Sequence, residues 1–454
     1  MTKTDIVILA AGKGTRMQSA LPKVLHKLAG KPLLGHVLDA AAALGDCHNI
    51  VVTGHGGDAV RALYASTNVT LVEQTQQLGT GHAVLTALPH LREGASVVIL
   101  YGDVPLITTA TLTKMLSAVS SNSLGLLTVT LGNPHGYGRI VRAADGQIES
   151  IVEQKDASPE QQKLCEVNTG VMALTTEQLA RWLPMIGNSN AQGEYYLTDI
   201  IALARRDGCR VTSVQPSSAS EVEGVNNRQQ LAALERAYQR QLAEQLMASG
   251  TTLADPARFD QRGTLSAGTD NFIDVNCVFE GDVTIGSGVT VGPNCLIINS
   301  TLGDNVTVNA NTVIEQATIG DRVVLGPFAR LRPGTQLGSD TKVGNFVETK
   351  NAIVGPGSKI NHLSYVGDAE LGANVNIGAG TITCNYDGVN KFKTEIGDNS
   401  FVGSNSTLIA PLSIGVDGFI AAGSTVNSEV PAGHLAVARS KQRNISGWKR
   451  PTKK

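Results

Sequence analysis

From Ile285 almost to the end of the chain an aliphatic residue recurs every six positions, usually with Gly behind it: IGSGVT, VGPNCL, LGDNVT, LGPFAR, VGPGSK, IGAGTI, IGDNSF, VGSNST, IGVDGF. The register begins at 285, 291 and 297 and later runs 396, 402, 408, 414, 420 and 426, with five-residue steps from 297 to 302 and from 366 to 371. A six-residue strand-and-turn unit cannot bury an apolar face alone, but stacked units can, so the period predicts a parallel β-helix with the aliphatic side chains inside. A β-sandwich would alternate with period two and space its turns further apart. The Gly suits a corner that needs close approach or positive φ. About twenty repeats at three per coil predict roughly seven coils, a prism on the order of 35 Å tall. The phrase stretches at 348–353 (ETKNAI), and residues 378–395 read as an inserted corner loop. Such insertions commonly line binding surfaces.

Before residue 250 the pattern is different. Apolar runs at 5–10, 49–54, 69–74, 96–103 and 125–131 alternate with helical stretches such as 33–44 and 83–88. This predicts an α/β domain over 1–226 with a mainly parallel sheet covered on both faces. Leu231, Leu234, Tyr238, Leu242 and Leu246 form one stripe of a helix over 227–249, with Asn227 to cap it and Gly250 to end it. Such a helix is an arm of ~30 Å before a third segment, 250–454.

A net charge of −2 from 37 basic and 39 acidic residues argues against nucleic acid or an anionic membrane as the main partner. No apolar run approaches the ~20 residues of a membrane span. Ile6–Ala11 is too short for a secretory core and runs into a Gly-rich loop, so it reads as a buried strand. Six scattered Cys without CxxC spacing read as reduced thiols of a cytoplasmic protein.

The loop after the first strand is LAAGKGTRM, followed by QSALPKVLHKLAGKPL. Gly12 and Gly14 let backbone amides approach a polyphosphate, and Arg16 and Lys23 neutralise its charge. Neither the Walker A nor the dinucleotide-fold spacing fits. Residues 9–33 resemble the signature of nucleoside-diphosphate-sugar pyrophosphorylases. Taken with the hexapeptide half, nearly the whole chain resembles the bifunctional N-acetylglucosamine-1-phosphate uridyltransferase/glucosamine-1-phosphate acetyltransferase family of bacterial cell-wall precursor synthesis.

The resemblance implies a Rossmann-like uridyltransferase domain and a left-handed β-helix acetyltransferase domain. In the first, Leu9, Ala10, Ala11, Gly12 and Lys23 would hold UTP. Gln74, Gly79 and Thr80 would read the uracil edge, beside Tyr101 and Gly102. Asp103 and Asn226 would hold Mg²⁺, and Arg16 and Lys23 would act on the phosphates. Gly138, Glu153 and Asn168 would hold the acetylamino sugar, although Glu153 by itself reads as a solvated charge. In the second domain His362 would be the general base, oriented by Glu348. By itself His362 reads equally as a surface histidine. Arg332, Lys350, Tyr365 and Asn376 would hold glucosamine-1-phosphate. Ala379, Asn385, Tyr386, Ser404, Ala422 and Arg439 would line the acetyl-CoA groove, with Asn385 and Tyr386 near the oxyanion and the basic tail closing over the coenzyme. The resemblance also implies a homotrimer with active sites between prisms. Two other readings are a nucleotidyltransferase whose β-helix only oligomerises, and a non-catalytic assembly subunit. The polar set around His362 argues against the first, and the intact loop with Lys23 and Asp103 against the second.

Overall fold

The computed structural model describes residues 3–190 and 192–453. The chain divides into two compact units, 1–238 and 239–454.

The first unit is built on a nine-stranded sheet. Its strands are β1 (Thr4–Ala10), β2 (Cys47–Thr53), β3 (Val69–Glu73), β4 (Ser96–Tyr101), β5 (Ser123–Thr130), β6 (Arg139–Arg142), β7 (Ile148–Val152), β8 (Glu166–Thr175) and β9 (Arg210–Val214). The main order is β9-β5-β8-β4-β1-β2-β3, with the β6–β7 hairpin attached to β8. Side chains along each run alternate between two cores. Val7, Leu9, Ile50, Val52, Val97 and Ile99 enter one, and Ile6, Ile8, Val51, Val98 and Leu100 the other. Burial on both faces is why these strands are apolar throughout. β1 is parallel to β2 and β4, β2 to β3, and β5 to β9. β8 lies outside the strands expected from the sequence and runs antiparallel to β4 and β5. The carboxyl ends of β1 and β4 lie side by side, with Leu9 paired to Tyr101. In open α/β sheets that end is where ligands bind.

The second unit is a parallel β-helix. In one face, Leu253, Ile273, Val291, Val308, Leu325, Val343, Ile360, Ile377, Val402 and Ile420 stack tier on tier, all buried. The register pairs Ile285 with Leu302, Leu302 with Ile319 and Ile319 with Leu337, so a coil takes 17 or 18 residues. That is three hexapeptides, or two and a five-residue step.

The prism is taller than the repeat count predicted. The face just described stacks eleven strands, a rise on the order of 50 Å rather than 35 Å. The additional tiers begin at Thr251 and carry Leu253, Phe259, Ile273, Cys277 and Phe279 inward without the aliphatic–Gly phrase. The glycines after the aliphatic residues act in both expected ways: Gly326, after Leu325, has φ 78°. Gly355 follows the inward Val354, and a Cβ on it would lie 2.5 Å from the carbonyl of Gly372 in the next coil. Close approach is therefore the reason for glycine there. Asn is the commonest non-glycine residue at the left-handed corners, among them Asn294, Asn305, Asn311, Asn374, Asn399 and Asn405, with φ from 57° to 61°. Asn tolerates this region better than most residues.

Both expected interruptions are smaller than the sequence suggested. Glu348–Val354 is one continuous strand in which Thr349 takes the inward place, satisfied by Thr335 Oγ1 at 3.0 Å. Ile382–Cys384 is likewise a strand, with Thr383 inward and hydrogen-bonded to the backbone of Gly367. The inserted loop is confined to 385–393, pinned by the Phe392 amide donating to Asn385 O at 2.9 Å.

The long helix spans Arg228–Ala248. Asn227 Oδ1 accepts from the Gln230 amide at 2.8 Å and caps it. The boundary between the two units falls within this helix. Leu231, Leu234 and Tyr238 pack with Met17, Leu28 and Leu33, while Ala243 and Leu246 join the β-helix core. Among the described residues no helix is long and apolar enough to cross a membrane.

Candidate active sites

The first site forms where β1 runs into the Gly-rich loop. Gly14 has φ 60°, and a Cβ there would lie 2.8 Å from Cβ of Lys23, so the loop closes on the Lys23 segment only with glycine. Met17 is buried and anchors the loop. A Cβ on Gly12 would meet nothing, so the space beside its backbone is open. Asp103 follows β4 by two residues, and its carbonyl accepts from the Val225 amide at 2.9 Å. That bond brings Asn226 to Asp103 from far along the chain.

Four predicted residues meet here. Lys23 Nζ forms an ion pair with Asp103 and lies 3.4 Å from Asn226 Oδ1. Arg16 donates to the same Asn226 oxygen at 2.9 Å. A cavity of about 240 Å³ is lined by Leu9, Ala10, Ala11, Gly12, Lys23, Gln74, Gly79, Thr80, Tyr101 and Asp103. A second, of about 460 Å³, shares Tyr101 and Asp103 and adds Arg16, His135, Thr169 and Asn226. Desolvation, then the Asp103 and Glu153 carboxylates, hold the Tyr101 phenol well above its ordinary range.

Gly138, Glu153 and Asn168 also come together. The Asn168 amide donates to Gly138 O at 2.9 Å, and a Cβ on Gly138 would lie 3.3 Å from Glu153 Oε1. They line neither of the two cavities. Burial, then Asp156 and Asp199, raise the Glu153 carboxyl above the usual carboxylate range. Gly102 is backbone packing, its amide donating to Leu9 O at 2.9 Å. Sequence reasoning missed Gln77 and Glu194, which line the first cavity. Gln77 lay in view in the EQTQQLGTGHA segment, but Glu194 had no signal in the chain pattern.

On the β-helix, the exposed His362 ends the strand Lys359–His362. Its Nδ1 lies 2.7 Å from Asn345 Oδ1, one coil below in register. An amide oxygen can only accept, so Nδ1 carries a proton, and in the neutral ring Nε2 is the nitrogen with the free lone pair. The orienting group is therefore Asn345 and not Glu348, whose carboxylate pairs with Arg332 at 2.7 Å. Arg332 and Lys350 occupy matching places on adjacent tiers. Lys391, on the inserted loop and not expected from the sequence, is the main cause lowering the Lys350 pKa, with Arg332 adding to it. The three cations form a positive cluster, in which the Glu348 carboxylate pairs with Arg332 and the Asp368 carboxylate acts on Lys350. Tyr365 stands in register with Glu348. Asn376 stands apart, in the eleven-stranded face between Lys359 and Phe401.

The expected coenzyme residues divide into two groups. Ala379, Ser404 and Ala422 form one column at successive coils, one corner on from Ile377, Val402 and Ile420. Arg439 closes it, donating to Ala422 O at 2.6 Å. Asn385 and Tyr386 belong to the inserted loop, where Asn385 donates to Asp368 and the Tyr386 hydroxyl to Gly388 O. One of the two Asn385 side-chain donors is thus engaged with Asp368.

Comparison with known proteins matches both halves. Residues 6–167 match the MobA-like NTP transferase domain, 263–365 the GMPPB C-terminal domain, and 393–428 the hexapeptide repeat of succinyl-transferase. The chain is 59% identical over 450 residues to the bifunctional protein GlmU of Cellvibrio japonicus, covering 99% of each chain. It is 58% identical over 453 residues to that of Marinobacter nauticus, covering 100% of each. With that of Saccharophagus degradans it shares 59% identity, over 99% of this chain and 100% of the other. At this identity over its whole length, with a nucleotidyltransferase sheet joined to a hexapeptide β-helix, the chain belongs to the family of bifunctional GlmU proteins.

Proposed function

We propose that the two units run two successive transfers that make UDP-N-acetylglucosamine, a precursor for peptidoglycan and lipopolysaccharide. The β-helix acetylates glucosamine-1-phosphate from acetyl-CoA, and the α/β domain then joins the product to UTP with release of pyrophosphate. The observation that carries the reading is the presence, on one chain, of a Lys23–Asp103–Asn226–Arg16 cluster and, on the β-helix, of His362 held by Asn345 together with the Arg332, Lys350 and Lys391 cations.

In acetyl transfer the amine nitrogen attacks the thioester carbonyl. The C–S bond breaks and the coenzyme leaves as a thiolate, while His362 Nε2 takes the proton the amine loses and returns it to that thiolate. Arg332, Lys350 and Lys391 hold the sugar phosphate, with Tyr365 beside them. The column Ala379, Ser404, Ala422 and Arg439 accepts the coenzyme. A backbone amide near Asn385 and Tyr386 would meet the developing oxyanion. Asn376 stands on another face, and a homotrimer would place it in a neighbouring subunit's site.

In uridylyl transfer a phosphate oxygen of N-acetylglucosamine-1-phosphate attacks the α-phosphorus of UTP, and the bond to pyrophosphate breaks. The obstacle is the approach of two anions, so charge neutralisation and positioning do the work. The cavity from Leu9 to Gly12 holds the nucleotide, Gln74, Gly79 and Thr80 the base, and Gly138, Glu153 and Asn168 the sugar. Asp103 and Asn226 offer the hard oxygen donors that Mg²⁺ takes, and they already draw the Lys23 ammonium between them. When bound there the ion would neutralise phosphate charge. Arg16 and Lys23 supply the remaining positive charge from the protein. The reading places the domains at 1–226 and 250–454 with the helix between, and the protein in the cytoplasm.

Two variants test it. His362→Ala is expected to abolish acetyl transfer and leave uridylyl transfer intact, and Asp103→Asn the reverse. Loss of both activities in either folded variant overturns the two-site reading.

A further inference from the structure

Gln74 is buried, 3% exposed, at the base-side end of the first cavity. Its amide makes two protein contacts, both through nitrogen. Nε2 donates to the carbonyl of Gly79 at 3.2 Å and lies 2.9 Å from Nδ1 of His82. The carbonyl can only accept, so it favours Nε2 on that side, through the longer of the two contacts. An amide nitrogen has two hydrogens and no acceptor capacity, so the second is directed at His82 Nδ1, which must be the unprotonated nitrogen. Both donors of Gln74 are then spent inside the protein. What it has left for a ligand is Oε1, an acceptor.

His82 lies in the first turn of the Thr80–Ala87 helix. It lines not the nucleotide cavity but a separate apolar one of about 190 Å³, with Leu78, Leu85, Leu183 and Ile186. It therefore reaches the ligand only through Gln74. The Tyr195 segment fixes the surrounding backbone, its amide donating to Leu78 O at 2.9 Å and its carbonyl accepting from the Gly81 amide at 2.8 Å.

We infer that His82 is a positioning residue that sets nucleobase specificity by holding the Gln74 amide with only its oxygen toward the base. A buried acceptor pairs with a base that presents a ring N–H, as uracil does at N3. It rejects cytosine, whose N3 is itself an acceptor, because two facing acceptors are left unpaired. Without the His82 acceptor the shorter of the two bonds that hold this orientation is lost, and only the 3.2 Å bond to Gly79 O opposes a turned-over amide, whose NH₂ would suit cytosine. The inference rests on the proposed base site at Gln74.

The test compares kcat/KM for UTP and CTP in the full-length enzyme. His82→Phe keeps a ring in the apolar cavity and removes the acceptor. It is expected to lower the UTP-to-CTP preference roughly tenfold. His82→Asn, whose side-chain oxygen can replace Nδ1, is expected to retain the preference within about threefold. An unchanged preference in folded His82→Phe, together with a collapsed preference in Gln74→Ala, overturns the role of His82 alone. An unchanged preference in Gln74→Ala overturns the base site and this inference with it. Nitrogen-15 NMR of the histidine rings gives a readout that does not depend on a variant folding. The inference requires the tautomer protonated at Nε2, and a proton on Nδ1 of His82 at neutral pH overturns it.

Discussion

Asn345→Ala removes the partner of His362 Nδ1 without touching substrate. The bond is 2.7 Å, to a ring that is exposed. As Nε2 takes the amine proton the ring becomes an imidazolium, and the bond becomes charge-assisted only in that step. Bonds to charged groups contribute about 1.5–3 kcal/mol, and exposure of the ring to water puts this one at the low end. About 1.5 kcal/mol corresponds to roughly tenfold in rate. Acetyl kcat is expected to fall about tenfold, with KM for acetyl-CoA nearly unchanged and uridylyl transfer untouched. The assay is thiol release from acetyl-CoA in the presence of glucosamine-1-phosphate. Asn345→Asp gives a second readout. A carboxylate at that place raises the imidazole pKa, so the acid limb of the rate profile moves to higher pH. An Asn345→Ala enzyme with wild-type acetyl kcat refutes the assignment of Asn345 as the orienting group.

Lys391→Ala is expected to raise KM for glucosamine-1-phosphate about fivefold, since one of three cations is lost. Because Lys391 lowers the Lys350 pKa, Lys350 loses its charge at a lower pH than an ordinary lysine. Sugar-phosphate affinity therefore declines early on the alkaline side, and in Lys391→Ala that decline moves to higher pH, as an isothermal titration series would show. Gly355→Ala forces a Cβ to within 2.5 Å of the next coil's backbone and is expected to destabilise the β-helix by about 2 kcal/mol, read by urea unfolding.

The β-helix was legible because its inward residues share one chemistry and one period. Legibility failed where that chemistry changed. Thr349 and Thr383 sit inward as fully as any aliphatic residue, but only because a neighbouring hydroxyl or backbone group satisfies them. A sequence reader meets a polar residue there and infers an interruption. The lowest tiers, built on Phe259, Cys277 and Phe279, bury the same face with a different vocabulary. In the first unit the runs at β1, β2 and β4 were plain because both faces are buried, whereas β8, which runs antiparallel to both β4 and β5, escaped notice. The site residues followed from the resemblance. What it did not supply was contact. Asn345, Lys391 and His82 earn their roles from a partner seventeen residues away, on an adjacent loop, or behind another side chain. None of these neighbours is visible in local pattern.

The central claim, that the β-helix is an enzyme in its own right, is tested most directly by free-thiol release from acetyl-CoA with glucosamine-1-phosphate and no UTP. Thiol release that depends on the amino sugar is the predicted result. No release from folded, full-length protein that still makes a UDP-sugar from N-acetylglucosamine-1-phosphate and UTP would contradict it.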